Sequence, residues 1–325
     1  MSKSILIHEN GGPEKMQIAD VQVGDPGPGQ VKIRHTAIGL NFIDVYTRSG
    51  LYQTPLPNAV GREGAGVIVE VGPKVKGFKK GDRVAYCGEL GAYCQERLIG
   101  TTQLVKVPNG VSDEQAAAIM LKGMTTEYLV DRTIKPWVKK GDTILFHAAA
   151  GGVGLLFGQW AKARGYNVIG TVSSPEKAAL AKKHGYKWVI DYTKQNIVEE
   201  VMKITKGKKV PAVVDGVGKD TWDASLDCLQ PRGIMASFGN ASGPVAPQSL
   251  AILNAKGSLY VTRPSLGAYT ATRKDLEASA KTLFKMVKSG KVKIAIDQRY
   301  PLGEAGQAHI DLESRKTTGQ TILVP

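Results

Sequence analysis

The sequence predicts an α/β protein in which a mostly β region precedes a doubly wound parallel sheet, and three observations indicate it. Short β-branched runs bounded by glycine recur through residues 1–125, with residues 66–72 the clearest example. From Glu127 onward, apolar runs alternate with helical patterns, as in a parallel sheet covered on both faces. Within that part, residues 143–163 read in succession as a strand, a glycine-rich turn and a helix.

The individual elements follow from local residue patterns. In the N-terminal region, strands are predicted at residues 31–34, 66–72, 82–85 and 104–107. The parallel sheet is predicted to use residues 144–146, 167–172, 188–191, 212–215, 234–238 and 258–262. A helix over residues 175–184 is expected because Ser174 can cap it, Pro175 suits its first turn and Gly185 follows its end. Near the C-terminus, the predictions are helices at 274–288 and 304–314 and a strand at 320–324.

Length, cysteine content and hydropathy limit the class of protein. A chain of 325 residues exceeds the usual size of one hydrophobic core, so two domains are expected. Its three cysteines are too few and too scattered for a disulfide framework, which favours a reducing, cytoplasmic location. We expect no secretory signal. The charge-free run 144–161 is better explained by a strand, turn and helix than by a membrane span.

The net charge of +14 is spread along the chain. Its densest basic segment, residues 206–209, is short and has no interleaved aromatic residues, so a solvated surface is favoured over a nucleic-acid site. A diffuse positive field still favours an anionic cofactor or substrate.

Several motifs occur along the chain in a characteristic order. They are GREGAG at residues 61–66, GDRV at 81–84, LKGMTT at 121–126 and AAAGGVG at 148–154. Together these motifs resemble the quinone oxidoreductase family, which includes zeta-crystallin and belongs to the zinc-free branch of the medium-chain dehydrogenase/reductases. Within that family, the resemblance is strongest to the bacterial NADPH quinone reductases.

The resemblance implies a Rossmann domain inserted into a GroES-like, mostly β catalytic domain. The catalytic domain is expected to comprise residues 1–125 plus 265–325, and the Rossmann domain residues 126–264, with the active site in the cleft between them. It also implies a homodimer whose Rossmann sheets join edge to edge through residues 258–262. The alternative for that segment is a buried final strand without a partner chain.

The residues after the second strand of the parallel sheet distinguish NAD from NADP. Enzymes that use NAD place an acidic residue about 20 residues past the glycine turn, where it binds the ribose hydroxyls. Ser173 and Ser174 occupy that position here, and Lys177 follows one helical turn later. Two hydroxyls and an ammonium group suit a 2′-phosphate, so NADPH is predicted. The alternatives are a helix cap at Ser174 and a solvated Lys177.

The other cofactor contacts are predicted from the turn and from the resemblance. Phosphates are expected at the turn formed by Gly151, Gly152, Val153 and Gly154, although the strict motif asks for glycine where Ala149 stands. By resemblance, Tyr192 closes over the 2′-phosphate and Val217 lies on the adenosine side. The residues nearer the nicotinamide are Phe238, Gly239, Asn240, Arg263 and Ser265, together with Asn41 and Thr126.

At the catalytic site, missing residue types are informative. Zinc-dependent relatives carry a cysteine at the position of Asn41 and a histidine at that of Arg62, and neither replacement is a usual zinc ligand. We therefore expect no metal. None of the eleven tyrosines has a lysine four residues on, so the base of short-chain alcohol dehydrogenases is missing too. Quinones are strong electron acceptors, and a positioned nicotinamide with hydrogen-bond donors suffices to reduce them.

The predicted catalytic residues are Asn41, Tyr46 and Tyr52, with Thr126 beside the nicotinamide. A phenol stays protonated at neutral pH, so a tyrosine can donate to a quinone oxygen while its ring stacks on the substrate. Ordinary ring packing is the alternative for the tyrosines, and a helix cap is the alternative for Asn41. His147 is predicted to be a hydrogen-bonded residue at a strand end rather than a base.

The sequence thus predicts an NADPH-dependent quinone oxidoreductase that uses neither metal nor flavin. An NADPH-dependent reductase of enones is the alternative in the same class, because an activated alkene also accepts hydride without a metal. An alternative of another class is an RNA-binding protein with an NADPH-sensing pocket. Its RNA binding would fall steeply with salt.

Overall fold

The structure, a computed structural model, describes the chain from Met1 to Pro325 and divides it into two compact units. Unit 1 comprises Met1–Lys122, Ala271–Lys288 and Ile294–Pro325, and unit 2 comprises Gly123–Thr270 and Ser289–Lys293. These divisions lie a few residues from the domain boundaries that the sequence suggests, and those boundaries stay a prediction.

Ten helices and sixteen strands build the two units. The N-terminal strands are β1 (Ser2–Ile7), β2 (Gln17–Val21), β3 (Gln30–Gly39), β4 (Asn58–Ala59), β5 (Glu63–Val71), β6 (Arg83–Cys87), β7 (Glu96–Gly100) and β8 (Val105–Lys106). They are accompanied by α1 (Phe42–Arg48) and α2 (Asp113–Tyr128). The middle of the chain forms β9 (Thr143–Phe146), α3 (Gly152–Ala163), β10 (Asn167–Val172), α4 (Pro175–Lys183), β11 (Trp188–Asp191), α5 (Ile197–Thr205), β12 (Val210–Asp215), α6 (Trp222–Asp227), β13 (Leu229–Ser237), α7 (Ala251–Ala255), β14 (Tyr260–Thr262) and α8 (Leu266–Tyr269). The C-terminal elements are α9 (Arg273–Lys288), β15 (Ile296–Pro301), α10 (Ala305–Glu313) and β16 (Gln320–Val324).

Unit 1 is mostly β and is assembled from both ends of the chain. One sheet has the strand order β2, β1, β4, and the other has the order β15, β16, β3, β5, β6, β8, with β7 also paired to β3. The C-terminal strand β16 pairs antiparallel with β3, placing Leu323 opposite Ile38. Both residues are fully buried in one core together with Tyr93 and Leu302. The core of this unit therefore requires the chain to return after unit 2 is complete.

Unit 2 contains a six-stranded parallel sheet with the order β11, β10, β9, β12, β13, β14. This is the order of a doubly wound Rossmann sheet, so the predicted fold class is confirmed. The central strand β12 is buried along its whole length, as expected for a sheet covered on both faces. In such a sheet the carboxyl ends of the strands form one edge, where ligands bind.

Three local differences from the sequence prediction have clear causes. Helix α3 begins at Gly152, inside the predicted turn of residues 151–154, because the glycine turn itself supplies its first residues. Strand β14 begins two residues late because Ser258 has a φ of 55°, in the left-handed region. Helix α2 lies partly in the region predicted as β. Its start is marked by a reciprocal pair of bonds between Ser112 and Gln115, a capping box that is visible in the sequence.

The basic segment 206–209 forms the turn between α5 and β12, with Lys206 and Lys209 both at positive φ. None of the ten helices has the length and apolar character needed to cross a membrane.

Candidate active site

The predicted nucleotide turn connects β9 to α3. Gly151 is the N-cap of α3, and its carbonyl accepts the N–H of Leu155 at 2.9 Å. A Cβ atom on Gly154 would lie 2.5 Å from the carbonyl oxygens of both Ala148 and Ala149. Only glycine therefore allows the helix to start this close to the turn. The helix N-terminus carries the positive end of its dipole, which suits a phosphate group.

The left-handed residue of this turn is Ala148, with a φ of 60°. That conformation costs an L-residue roughly 1–2 kcal/mol. Ala149, where the strict motif asks for glycine, is buried and donates its N–H to the carbonyl of Thr171 at 3.0 Å. Its methyl group faces Gly170 on β10, where an added Cβ would approach it to 2.6 Å. The neighbouring strand thus accommodates the alanine by carrying a glycine of its own.

Ser173, Ser174 and Lys177 come together at the carboxyl end of β10. Ser174 is the N-cap of α4, and its hydroxyl accepts the N–H of Lys177 at 3.3 Å. The Nζ atom of Lys177 donates to the Ser173 hydroxyl at 3.5 Å. The helix-cap alternative for Ser174 is therefore correct, and it leaves the two hydroxyls and the ammonium group in one small area. Their contact with a 2′-phosphate stays a prediction.

The same area holds a carboxylate that the sequence analysis missed. Glu176 lies on the surface, and a hydrogen bond from the Ser174 hydroxyl lowers the pKa of its carboxyl. The first turn of α4 reaches the same place as the end of β10, and Glu176 belongs to that turn. Tyr192 follows the adjacent strand β11 and is 40% exposed. Its N–H donates to the carbonyl of Val172, the last residue of β10, at 3.1 Å, so the tyrosine stands beside Ser173.

The remaining predicted cofactor residues of unit 2 follow the ends of β12, β13 and β14. Val217 donates its N–H to the Oδ1 atom of the buried Asp215 at 2.7 Å. Arg263 donates from Nη1 to the carbonyl oxygen of Gly239 at 2.9 Å, which ties the ends of β13 and β14 together. The others in this group are Phe238 and Asn240, after β13, and Ser265, the N-cap of α8. Their contacts with a cofactor stay a prediction.

Asn41 in unit 1 occupies the N-cap position of α1, but its side-chain oxygen makes no cap hydrogen bond. Its backbone N–H donates to Oδ2 of Asp44 at 2.9 Å. Its side-chain Nδ2 donates to Oε2 of Glu63 at 2.8 Å. An amide carries two N–H donors, and the second is the one that a quinone oxygen could use. That role stays a prediction.

Glu63 and Lys122 are buried charges that the sequence analysis did not single out. Oε1 of Glu63 accepts the N–H of Leu121 at 2.6 Å, and Nζ of Lys122 donates to the carbonyl of Leu40 at 2.8 Å. Burial raises the pKa of Glu63 and lowers the pKa of Lys122, while the charge of each opposes the shift of the other. Both lie in runs of small or apolar residues, a signal that could have identified them.

The residues at the positions of the zinc ligands do not fit a zinc ion. Arg62 is a cation whose Nη1 donates to the carbonyl of Gly88 at 2.8 Å, and a guanidinium cannot coordinate a metal. The amide of Asn41 is bound to Glu63. The chain brings no group of three or more His, Cys, Asp or Glu side chains into a metal-binding arrangement.

Tyr46 and Tyr52 are neighbours in unit 1. Their ring centroids lie 5.2 Å apart in an edge-to-face arrangement, and the N–H of Tyr52 donates to the carbonyl of Tyr46 at 3.0 Å. The ring packing considered as an alternative is therefore present. Tyr46 is buried and Tyr52 is half-buried. Thr126 is buried within α2. The catalytic roles of the three residues stay predictions.

His147 is a buried, hydrogen-bonded residue at the end of β9, as predicted. Its Nε2 lies 3.0 Å from the hydroxyl of Ser225, which itself donates to Oδ2 of Asp215 at 2.8 Å. The Ser225 oxygen therefore accepts from Nε2–H, and Nδ1 accepts from the Thr171 hydroxyl at 3.1 Å. Burial lowers the pKa of His147. Both nitrogens are occupied, so the residue joins strand ends and is not poised as a base.

Comparison with known proteins agrees with this architecture. Residues 27–142 match the alcohol dehydrogenase GroES-like domain, and residues 152–285 match the zinc-binding dehydrogenase family. A quinone oxidoreductase of Pseudomonas aeruginosa is 54% identical over the full length of both chains. A 2-haloacrylate reductase of a Burkholderia species is 46% identical over all of this chain and 99% of its own.

A solved structure is similar over nearly the same extent. The crystal structure of Escherichia coli quinone oxidoreductase complexed with NADPH is 48% identical, has a TM-score of 0.97, and covers 99% of this chain and 100% of its own. With full-length identity near one half and both domains matched, the chain belongs to the quinone oxidoreductase family of the medium-chain dehydrogenase/reductases.

Proposed function

We propose that this protein is an NADPH-dependent quinone oxidoreductase that uses neither metal nor flavin. The observation that carries the proposal is the edge of the parallel sheet in unit 2. There a glycine turn leads into a helix N-terminus, and the next strand ends in two serines and a lysine where an NAD enzyme has an acid. Full-length similarity to quinone oxidoreductases, one of them solved with NADPH, supports the same assignment.

The residues of this edge fit the cofactor. The N-terminus of α3, from Gly151 to Gly154, would hold the pyrophosphate, since glycine leaves the backbone accessible there. Ser173, Ser174 and Lys177 would hold the 2′-phosphate, with Tyr192 beside them. When bound, NADPH supplies the electrons that reduce the quinone.

The quinone is proposed to bind near Asn41, Tyr46 and Tyr52. These residues supply an amide donor, two phenols and aromatic ring surface, which suit a planar molecule with carbonyl oxygens. The buried ring of Tyr46 excludes water, and hydrogen bonding to Glu63 fixes the amide of Asn41.

A second candidate function is the reduction of activated alkenes. The observation that favours it is the 46% identity to a 2-haloacrylate reductase over the full chain. Asn41 and Arg62 replace the zinc ligands of zinc-dependent relatives, and a metal-free site suits either substrate. An enone and a quinone each accept electrons without a Lewis acid.

One assay tests both functions. Oxidation of NADPH and NADH would be followed with protein treated with a chelator, across ortho-quinones, para-quinones and enones. We expect NADPH to be preferred, quinones to be reduced, and the chelator to have no effect. Turnover of enones alone would favour the second candidate, and turnover with no acceptor would overturn both.

The proposal includes a homodimer and a cytoplasmic location. Strand β14 is an edge strand of the six-stranded sheet and pairs only with β13. Tyr260 on this strand is 53% exposed, so β14 of a second subunit could pair with it. Sedimentation would test this: Val261→Pro should convert a dimer to a monomer if β14 is the joining strand. The three free, buried cysteines suit a reducing compartment.

A further inference from the structure

A chain of buried hydrogen bonds links the last residue of α1 to the first turn of the same helix by way of α10, outside the residues already assigned to substrate. Arg48 Nη1 lies 3.1 Å from His309 Nδ1, and His309 Nε2 lies 3.1 Å from the Tyr93 hydroxyl. The Tyr93 hydroxyl lies 3.0 Å from Oδ2 of Asp44. All four side chains are at most 2% exposed, and Arg48 also makes a bidentate ion pair with Glu313.

The chemistry of these groups fixes the direction of every bond. Arg48 can only donate, so His309 Nδ1 accepts and its proton lies on Nε2. Burial lowers the pKa of His309 to about 3, which keeps the ring neutral. Nε2–H then donates to the Tyr93 oxygen, and the Tyr93 hydroxyl donates to Asp44. Every donor in the chain therefore points toward the Asp44 carboxyl.

The two oxygens of Asp44 differ as a result. Oδ2 accepts both the Tyr93 hydroxyl and the backbone N–H of Asn41. Oδ1 is buried and has no hydrogen-bond partner in the protein, and the same holds for Nε of Arg62. Buried polar atoms without partners are rare, and each calls for an explanation. A proton that Asp44 takes up can reside only on Oδ1, because Oδ2 is saturated with donors.

The charges around Asp44 are nearly balanced. Burial raises the pKa of Asp44 to about 7, although the bonds from Asn41 and Tyr93 and the charges of Arg62 and Lys122 lower it. The groups that act on this carboxyl come from several elements: Arg62 just before β5, Tyr93 after β6 and Lys122 in α2. Glu63 in β5 acts on Lys122 and Tyr93, and Arg48 of α1 and His309 of α10 lie behind Tyr93. Formally, two cations face two carboxylates when Asp44 is ionised. When it is neutral, one positive charge is in excess.

We propose that Asp44 is a positioning residue that controls how quinone reduction responds to pH, by setting the net charge of the group formed by Asp44, Arg62, Glu63 and Lys122 beside Asn41. In this step the Asp44 carboxylate takes up one proton from solvent on Oδ1 and transfers none to the quinone. One of the two positive charges of Arg62 and Lys122 is then uncompensated, because Glu63 still balances the other. It stabilises the negative charge that develops on the quinone oxygen as electrons arrive. The inference rests on the proposed quinone reduction.

The first test is the pH profile of kcat/KM for a quinone. In the unaltered protein we expect activity to fall as pH rises through about 7, as Asp44 loses its proton. Asp44→Asn keeps an acceptor for Asn41 and Tyr93 but cannot ionise, so its profile should be flat. Tyr93→Phe removes a donor that stabilises the carboxylate, so the fall should move to higher pH by about one unit.

A matched control is available in Tyr86→Phe. Tyr86 is also fully buried in unit 1, and its hydroxyl likewise contacts a histidine, His35, at 2.8 Å. Loss of the Tyr86 hydroxyl should lower the free energy of unfolding about as much as Tyr93→Phe does, and it should leave the pH profile of kcat/KM unchanged. Equal shifts in both tyrosine variants would show a general structural effect and overturn the proposal. If Asp44→Asn does not fold, Tyr93→Phe against Tyr86→Phe still decides the question.

The second test reads Asp44 without turnover. Infrared difference spectra of the NADPH-free protein should show the carbonyl stretch of a protonated carboxyl that disappears as pH rises through about 7. In Tyr93→Phe, the pH at which the band disappears should rise by the same amount as the midpoint of the kcat/KM profile. Asp44→Asn should lack the band. A protein that titrates in this way but reduces no quinone would refute the proposed function alone. Quinone turnover whose pH profile is unmoved by either variant would refute this inference alone.

Discussion

The edge of the parallel sheet in unit 2 and the charged cluster in unit 1 are built in opposite ways. At the sheet edge, Ser173, Ser174 and Lys177 come from one strand end and the helix turn that follows it. In the cluster, Asn41, Glu63 and Lys122 come from three separate elements. The sheet edge is partly exposed, whereas the cluster is buried.

This difference has an energetic consequence. A polar group at a solvated edge can exchange its partner for water, so its loss affects binding more than folding. A buried charge has no such alternative, and removal of its partner leaves it unpaired. We therefore expect substitutions to act mainly on stability in the cluster and mainly on cofactor affinity at the sheet edge.

The largest effect is expected for Lys122→Met. This change leaves Glu63 buried without its main cation, and breaking a buried pair costs roughly 3–5 kcal/mol. Denaturant unfolding measures the loss. The matched control is Lys106→Met, whose surface ion pair with Asp82 spans 2.9 Å and contributes below about 1 kcal/mol. Equal losses of stability in the two variants would mean that burial does not determine what the loss of an ion pair costs.

The next effect is expected at the glycine turn. In Gly154→Ala the new methyl group meets two carbonyl oxygens at 2.5 Å, and overpacking of this kind costs roughly 1–3 kcal/mol. In Gly151→Ala the nearest atom, the carbonyl oxygen of Ala148, is 3.3 Å away, so stability should change less. Its methyl group should instead raise the KM for NADPH. Thermal unfolding without cofactor and steady-state kinetics separate the two. The reverse order of stabilities would contradict the assigned geometry.

Lys177→Ala tests the sheet edge directly. Loss of a charge-assisted bond to the 2′-phosphate should raise the KM for NADPH about tenfold and leave the KM for NADH unchanged. Lys182→Ala on the same helix, where the lysine is exposed, is the control and should alter neither constant. An unchanged KM for NADPH in Lys177→Ala would refute the assignment of this residue.

The smallest effect is expected for Glu176→Gln. Its carboxylate accepts from Ser174 and would repel a 2′-phosphate, so its removal should lower the KM for NADPH about twofold. Because Glu176 is exposed, added salt should reduce the effect. A raised KM would show that the carboxylate assists the cofactor instead of opposing it.

Sequence-based prediction succeeded where structure is local. Strands β10, β11 and β16 have the predicted bounds, and the helix after Ser174 begins as expected, because alternation, capping and glycine signals act within a few residues. It failed at α2, which lies partly in the region predicted as β although Ser112 and Gln115 mark its start.

Residue patterns alone were enough to predict the alternation of strands and helices in unit 2, the glycine turn, the missing acid at Ser173 and Ser174, and the missing zinc ligands. These depend on residue type at a known spacing. Three-dimensional folding was needed to bring Glu63 to Asn41 and Lys122 to the neighbouring Leu40 carbonyl, and to join Asp44 to His309 through Tyr93. Hydrogen bonds and charge interactions of this kind act over a few ångströms, and folding brings residues within that range from distant parts of the chain.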